Sequence, residues 1–164
     1  MSTASENRLP AGLESIPAWR KTGGGYPHNG CHFDLWLDAN QLLPAVRRLF
    51  DHGYFIEDIV GVDVQEGILL VYHFDRYEAA QRVALRLTVP HSAKKAPSIS
   101  AVFSGADWHE RECFDFFGVE FENHPGLKPL LLPDDLDLHP LMKEKDRRSL
   151  YALLPLAQAV DTWG

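Results

Sequence analysis

Between Tyr54 and Val89 the chain strings together three runs that only a β-sheet satisfies, and they limit what the remainder can become. Tyr54–Val64 is rich in β-branched and aromatic residues, and Ile68–Phe74 repeats that character after Gln65-Glu66-Gly67. Two such runs joined by a short glycine-containing link predict a hairpin. Arg82–Val89 then alternates, with Val83, Leu85, Leu87 and Val89 facing one way and Arg82, Arg86 and Thr88 the other, which predicts a strand with one solvated face. Upstream, Cys31–Leu37 sets Phe33, Leu35 and Leu37 against His32, Asp34 and Trp36. Between these strands Leu42, Ala45, Val46, Leu49 and Phe50 recur at helical spacing, with Asp38 or Asn40 as cap and Gly53 as a left-handed terminator. Pro44 favours the later start, because proline is tolerated in the first turn and not beyond it. Pro90–Pro97 reads as a polar connection, and Ile99, Ala101 and Phe103 fit either a short strand or a single helical turn. The expected architecture is α+β: a two-layer sandwich of a mixed, mostly antiparallel sheet with helices on one face, followed by an extended irregular C-terminal segment.

A chain of 164 residues suits one domain, and 45% hydrophobic with 24% charged content is that of a soluble globular protein. No apolar run approaches the roughly 20 residues that span a bilayer. The start, Met-Ser-Thr-Ala-Ser-Glu-Asn-Arg, lacks the apolar centre of a secretory signal, which predicts a cytoplasmic address. A net charge of -7 argues against nucleic acid as a general partner. Cys31 and Cys113 form no CxxC pair, so neither predicts a zinc or cluster cage from this chain alone. Residues 1–30 contain Pro10, Pro17, Pro27 and the Gly23-Gly24-Gly25 run and are expected to form a flexible arm, with Trp19 against the domain edge. Residues 144–164, carrying Leu150, Tyr151, Leu153, Leu154, Leu156, Val160 and Trp163 around Pro155, are expected to dock on a partner.

The span from Ala106 to Pro140 is the densest in chemistry. Asp107 and Glu110 have capping-box spacing, which predicts a helix from Trp108 that stops at Gly118. Glu110, Cys113, Phe114 and Phe117 share one face; Trp108, Arg111, Glu112 and Asp115 share the other, where Arg111 and Asp115 form an i,i+4 pair. Such a helix is expected to be covered on both sides. Pro125, Pro129, Pro133 and Pro140 then prevent regular structure, so the apolar Pro-Leu-Leu-Leu-Pro segment needs partners for its backbone, as a surface clamped by a neighbouring protein would. Acid–base chemistry by Glu110, Glu112 and Asp115, or a small metal-dependent enzyme using His109, Cys113, His124 or His139, is the alternative. Capping for Glu110, pairing for Asp115, and the incomplete ligand set weigh against it. No catalytic, cofactor-binding or metal residue is therefore assigned, and docking is favoured.

Glu110-Arg111-Glu112, Asp115, Phe116-Phe117, His124, Lys128 and Leu130-Leu131 also meet every position of a known signature. On these residues the chain resembles the 30 kDa subunit family of respiratory complex I (NADH:quinone oxidoreductase). Gly61-Val62-Asp63 and Val71-Tyr72-His73 look like that family's strand motifs, so the resemblance covers about residues 31–143. It implies a non-catalytic peripheral-arm subunit of a complex I-like, ion-translocating membrane redox complex. Its partners would be the 49 kDa or hydrogenase-large-type subunit and the adjacent iron–sulfur small subunit. The chain would bind no cofactor; iron–sulfur clusters, and in the hydrogenase branch a NiFe centre, would lie in the neighbours. The resemblance places it peripherally on the cytoplasmic side of the membrane, attached through the complex. Expected interface residues are Trp108, Glu110, Arg111, Glu112, Asp115, Phe116, Phe117, Gly118, His124, Pro125, Lys128, Leu130, Leu131, Pro140 and Lys143. Pro129, Leu136 and Met142 stand where complex I members usually have Arg, Trp and Arg, which points to the energy-converting [NiFe] hydrogenase counterpart or a divergent complex.

Overall fold

Alternation along the strands builds one sheet and gives it two unequal faces. The computed structural model describes residues 9, 12–23, 26–78, 80–136 and 138–150. In chain order these form β1 (Arg20–Gly23), the single turn α1 (Tyr26–Asn29), β2 (Phe33–Leu37), α2 (Ala39–Asp51), β3 (Tyr54–Val64), β4 (Gly67–Arg76), β5 (Val83–Val89), β6 (Lys95–Pro97), α3 (Ala106–Phe117) and β7 (Glu120–Glu122). Five strands lie in the order β1-β2-β5-β4-β3, with β6 and β7 paired separately. Within the large sheet β2 and β5 run parallel and the other neighbours antiparallel, so it is the expected mixed sheet of an α+β sandwich.

On one face Phe33, Leu35, Ile68, Leu70, Tyr72, Phe74, Leu85 and Leu87 meet Leu42, Val46 and Leu49 of α2 and Cys113 and Phe117 of α3 in the main core. The alternate residues Trp36, Leu69, Val71 and Ala84 form a smaller cluster with Cys31, Val64 and Leu150. The face of β5 expected to be solvated is therefore half covered. Arg86 makes this possible: its guanidinium lies 5.4 Å from the Trp36 ring centre and donates to Asp34 at 2.8 Å, keeping its charge satisfied over apolar surface.

Part of the expected arm belongs to this sheet. β1 pairs with β2 from Arg20↔Trp36 to Gly23↔Phe33, while Leu13 and Ile16 are buried in the main core. Without β1, β2 would present an open edge. Trp19 tilts against Trp36 at 4.9 Å, as expected of a residue packed on the domain edge.

Two local readings change. Helix α2 begins after Asp38 with no side-chain cap and carries Pro44 inside it, so burial of Leu42, Ala45, Val46 and Leu49 outweighs proline's lost hydrogen bond. Phe50 lies outside that stripe, mostly exposed, with its edge to Phe103 at 5.4 Å. Ile99–Phe103 is the helical turn, not the strand, since Val102 and Phe103 both donate to the Ile99 carbonyl. The strand is β6, inside the stretch expected to be a polar connection.

Helix α3 crosses β3 at Gly61, where a Cβ would meet the Phe117 ring at 2.5 Å. Phe117 is itself buried in the main core. Phe117→Ala is expected to cost about 3–5 kcal/mol by emptying this crossing. Thermal melting of the isolated chain checks this; an unchanged Tm would show that the ring contributes nothing to the core.

Residues 144–150 lie against the end of the β3–β4 hairpin. Arg148 bridges Val64 in parallel and accepts the Gln65 N–H at 3.0 Å, while Glu66 accepts the Ser149 hydroxyl and the Leu150 N–H. The hairpin's own end captures the start of the tail. Residues 151–164, with the other apolar side chains expected to dock, lie outside the described residues.

Candidate docking surface

Helix α3 is the frame of the surface. It starts at Ala106, two residues before the expected start, with Gly105 as cap and no side-chain capping bond. Glu110 faces inward instead of closing a capping box. Its carboxylate is fully buried, accepting the Ser98 hydroxyl at 2.6 Å and the Ile99 N–H at 2.7 Å, so it ties α3 to the turn at Ile99–Phe103. His124, its side chain also buried, lies 3.7 Å from it and 3.6 Å from Asp107. The His124 ring accepts the Gly126 N–H at Nδ1, which leaves the proton on Nε2, facing these carboxylates.

Burial pushes the Glu110 pKa from 4.5 up to about 7, against the opposing hydrogen bonds from Ser98 and Ile99. The fold thus binds this proton more tightly than the unfolded chain. The resulting stability is full below pH 4.5 and lost as pH rises through about 7. At 1.36 kcal/mol per unit, the loss between pH 5 and pH 8 is expected to reach about 2.5 kcal/mol, and Glu110→Gln should remove most of it. Urea unfolding across that range checks this; parallel slopes for both proteins would contradict it.

Arg111 and Asp115 do not pair with each other. Arg111 donates to the carbonyls of Lys128 and Pro129 at 3.2 and 2.9 Å. Asp115 accepts the N–H groups of Leu130, Leu131 and Leu132 at 2.7, 2.8 and 3.2 Å. The two side chains grip opposite polarities of one backbone, because the prolines deny that segment a ladder of its own and a helix face nearby can supply the missing partners. The N–H groups of the three leucines between Pro129 and Pro133 are thus satisfied within the chain, and of these leucines Leu131 stands exposed. Leu131, Leu136, Leu138 and Leu141 are exposed, and Trp108 on α3 is 66% exposed. Within the chain, then, the helix is covered on its core side and by the backbone clasp, and Trp108 stays open.

Below the clasp, Gly118 ends α3 in the left-handed conformation at φ 71°, and a Cβ there would strike the His139 ring at 2.5 Å. His139 Nδ1 donates to the Asp115 carbonyl at 2.8 Å, and the Leu141 N–H reaches the Phe116 carbonyl at 3.1 Å. The chain then passes to Asp63, whose buried carboxylate accepts the Lys143 N–H, Arg147 Nε and His91 Nε2 at 2.7, 2.9 and 2.6 Å. Met142 packs against the main core.

Most residues expected at the surface are gathered here, in different roles. Trp108, Glu112, Pro125, Lys128, Leu131, Pro140 and Lys143 are exposed; Arg111, Phe116, Gly118 and Leu130 are half-buried; Glu110, Asp115, Phe117 and the side chain of His124 are buried. Of the histidines and cysteine considered for a metal, His109 and Cys113 line one cleft beside α3, while His124 bonds Gly126 and His139 the Asp115 carbonyl. The buried Cys113 thiol is raised to about 12 by desolvation and reaches the Ile59 carbonyl at 3.8 Å. Among the described residues no three His, Cys, Asp or Glu side chains cluster as metal ligands. Sequence reasoning missed His91, Arg147 and Ser98, whose roles depend on contacts 12 to 84 residues away. Only the polar Ser98 and Ser100 beside an apolar turn offered a local signal.

Residues 35–149 match the family model for the 30 kDa subunit of respiratory-chain NADH dehydrogenase. The C/D subunit of NADH-quinone oxidoreductase from Shewanella woodyi is 36% identical over 126 residues, covering 67% of this chain and 21% of the relative. The C subunit of the same enzyme from Roseiflexus sp. strain RS-1 is 37% identical over 93 residues, 55% of this chain and 53% of its own length. The chain therefore spans about half or less of the length of these curated relatives. Among solved structures, a trypsin-resistant fragment of Nqo5 aligns with TM-score 0.54 and 26% identity over 58% of this chain and 82% of that one. A chain of the archaeal membrane-bound sulfane sulfur reductase complex aligns with TM-score 0.69 over 93% of this chain and 90% of that one, at 23% identity, a likeness of fold. Signature and clasp thus fall in one matched region, and the chain belongs to the family of 30 kDa subunits of respiratory-chain NADH dehydrogenase.

Proposed function

We propose that this chain is a non-catalytic, peripheral-arm subunit of a complex I-like, ion-translocating redox complex. It docks on the 49 kDa or hydrogenase-large-type subunit through α3 and residues 128–141, with the iron–sulfur small subunit beside it. The carrying observation is the clasp: Arg111 and Asp115 hold the backbone of residues 128–132 while Leu131, Leu138, Leu141 and Trp108 stay exposed. Ordered backbone beneath exposed leucines is what a preorganised interface needs, since binding then has less ordering to supply. Membrane association and redox cofactors belong to the partners in this reading; among the described residues no helix is long and apolar enough to cross a membrane. The named relatives favour the NADH:quinone branch over the hydrogenase branch. Affinity purification of the full chain from its native membranes tests the proposal. A stoichiometric large subunit and an iron–sulfur partner are expected; recovery of the chain alone would contradict it.

A further inference from the structure

Strand β3 is the outer strand of the large sheet. Alternate N–H and C=O groups along its free side therefore face away from β4. Near its end that side is already taken by the chain itself: Arg148 makes a parallel bridge to Val64 and accepts the Gln65 N–H. This edge can accept an added strand, and does so over one bridge. From Asp58 to Gly61 no described strand other than β4 pairs with it, and the one α3 side chain bonded to its backbone there is Cys113, whose thiol reaches the Ile59 carbonyl at 3.8 Å. There it borders a cleft of about 260 Å³ whose other wall is α3 and whose end is Leu141.

The lining of the cleft describes its occupant. Phe116 and Leu141 supply an apolar wall, and Val60 is exposed on the far face of the strand. Glu112 is exposed on the α3 wall and makes no ion pair among the described residues. Among the described residues Asp58, at the rim, holds His73, at 2.6 Å. His109 also lines the cleft, and Glu112 is its acidic group without an ion pair among the described residues. We propose that the β3 edge from Asp58 to Val62 and the facing ridge of α3 bind an extended strand of a neighbouring subunit. That strand sets a bulky apolar side chain against Phe116 and Leu141 and a Lys or Arg against Glu112.

An added strand presents successive side chains to opposite faces of the sheet. It therefore comes within reach of both Val60 and Leu141, whereas a helix lying on α3 reaches Leu141 alone. Recognition by main-chain hydrogen bonds, with side-chain pockets setting specificity, is the expected mode. This inference rests on the docking role proposed above, and the test separates the two.

A benzophenone side chain is placed at Val60 or, separately, at Leu141 of the full chain assembled in its native complex, and cross-linked peptides are mapped. Both positions are expected to capture one short stretch of the same neighbour, at adjacent or near-adjacent residues beside a Lys or Arg. Glu112→Lys should lower the amount of neighbour recovered about fivefold or more, Glu112→Gln less, and reversal of the captured basic residue to Glu should restore the Glu112→Lys complex. Circular dichroism melting of each variant alone confirms that it folds. Capture from Leu141 only, capture of a second copy of this chain, or no capture while the chain remains in the complex would each overturn the strand proposal and leave the docking role standing. Absence of the unmodified chain from any such complex would overturn both.

Discussion

Asp63→Ala is expected to lower the unfolding free energy by about 3–5 kcal/mol, the range for breaking a buried charged pair from one side. Its carboxylate is wholly buried, yet three groups from distant parts of the chain converge on it: His91 from the turn after β5, and the Lys143 N–H and Arg147 from the C-terminal segment. Removing it strands the Arg147 and His91 donors and frees the segment that Arg148 adds to β3. Burial alone would raise the Asp63 pKa, but the hydrogen bonds from Lys143, Arg147 and His91 hold it below the usual 3.8. The sign is therefore opposite to that of Glu110. Asp63 stabilises fully above 3.8, and that stability is lost as pH falls through the lower folded value. Urea unfolding at pH 7 is the measurement; a loss under about 1 kcal/mol would show that water replaces these bonds without cost.

Asp115→Ala should fail differently. The side chain touches the fold mainly through the N–H groups of Leu130, Leu131 and Leu132. Hydrogen bonds to a charged acceptor contribute about 1.5–3 kcal/mol each when buried and less where water can substitute, as it can on this half-buried segment. The isolated variant is expected to lose only about 1–3 kcal/mol globally, while Leu130, Leu131 and Leu132 lose their fixed backbone. Recovery with the large partner should then drop about tenfold or more, because binding must supply the ordering that the carboxylate supplied. Arg111→Ala, which frees two carbonyls instead of three N–H groups, should follow the same pattern more weakly. Normal recovery of the Asp115→Ala complex would remove the clasp from the account.

The identity of β2 to β5 and the core faces of β2 and β5 were legible because a period of two is visible without neighbours: Val83, Leu85 and Leu87 point inward as their spacing requires. The C-terminal stop of α3 at Gly118 was legible for the same reason, a local conformational demand. What was not legible depended on contacts far along the chain. Glu110 has capping spacing, but Ser98 and Ile99 offered a buried partner, and Arg111 and Asp115 have pairing spacing, but a proline-rich backbone offered stronger demand. Local pairing on an exposed helix is worth about 0.2–0.5 kcal/mol, less than satisfying buried or ordered backbone groups. The same reasoning explains β1 and Arg148, both drawn onto strand edges that nothing in their own sequence reveals.

The central claim is that residues 128–141 are a preorganised surface buried by a neighbouring protein of the complex. Hydrogen–deuterium exchange on the chain alone and within its native complex tests this directly. The account predicts measurable protection at Leu130, Leu131 and Leu132 in the isolated chain, from the Asp115 clasp, and a further slowing across residues 130–141 in the complex. Equal exchange of that segment in the two states would contradict it.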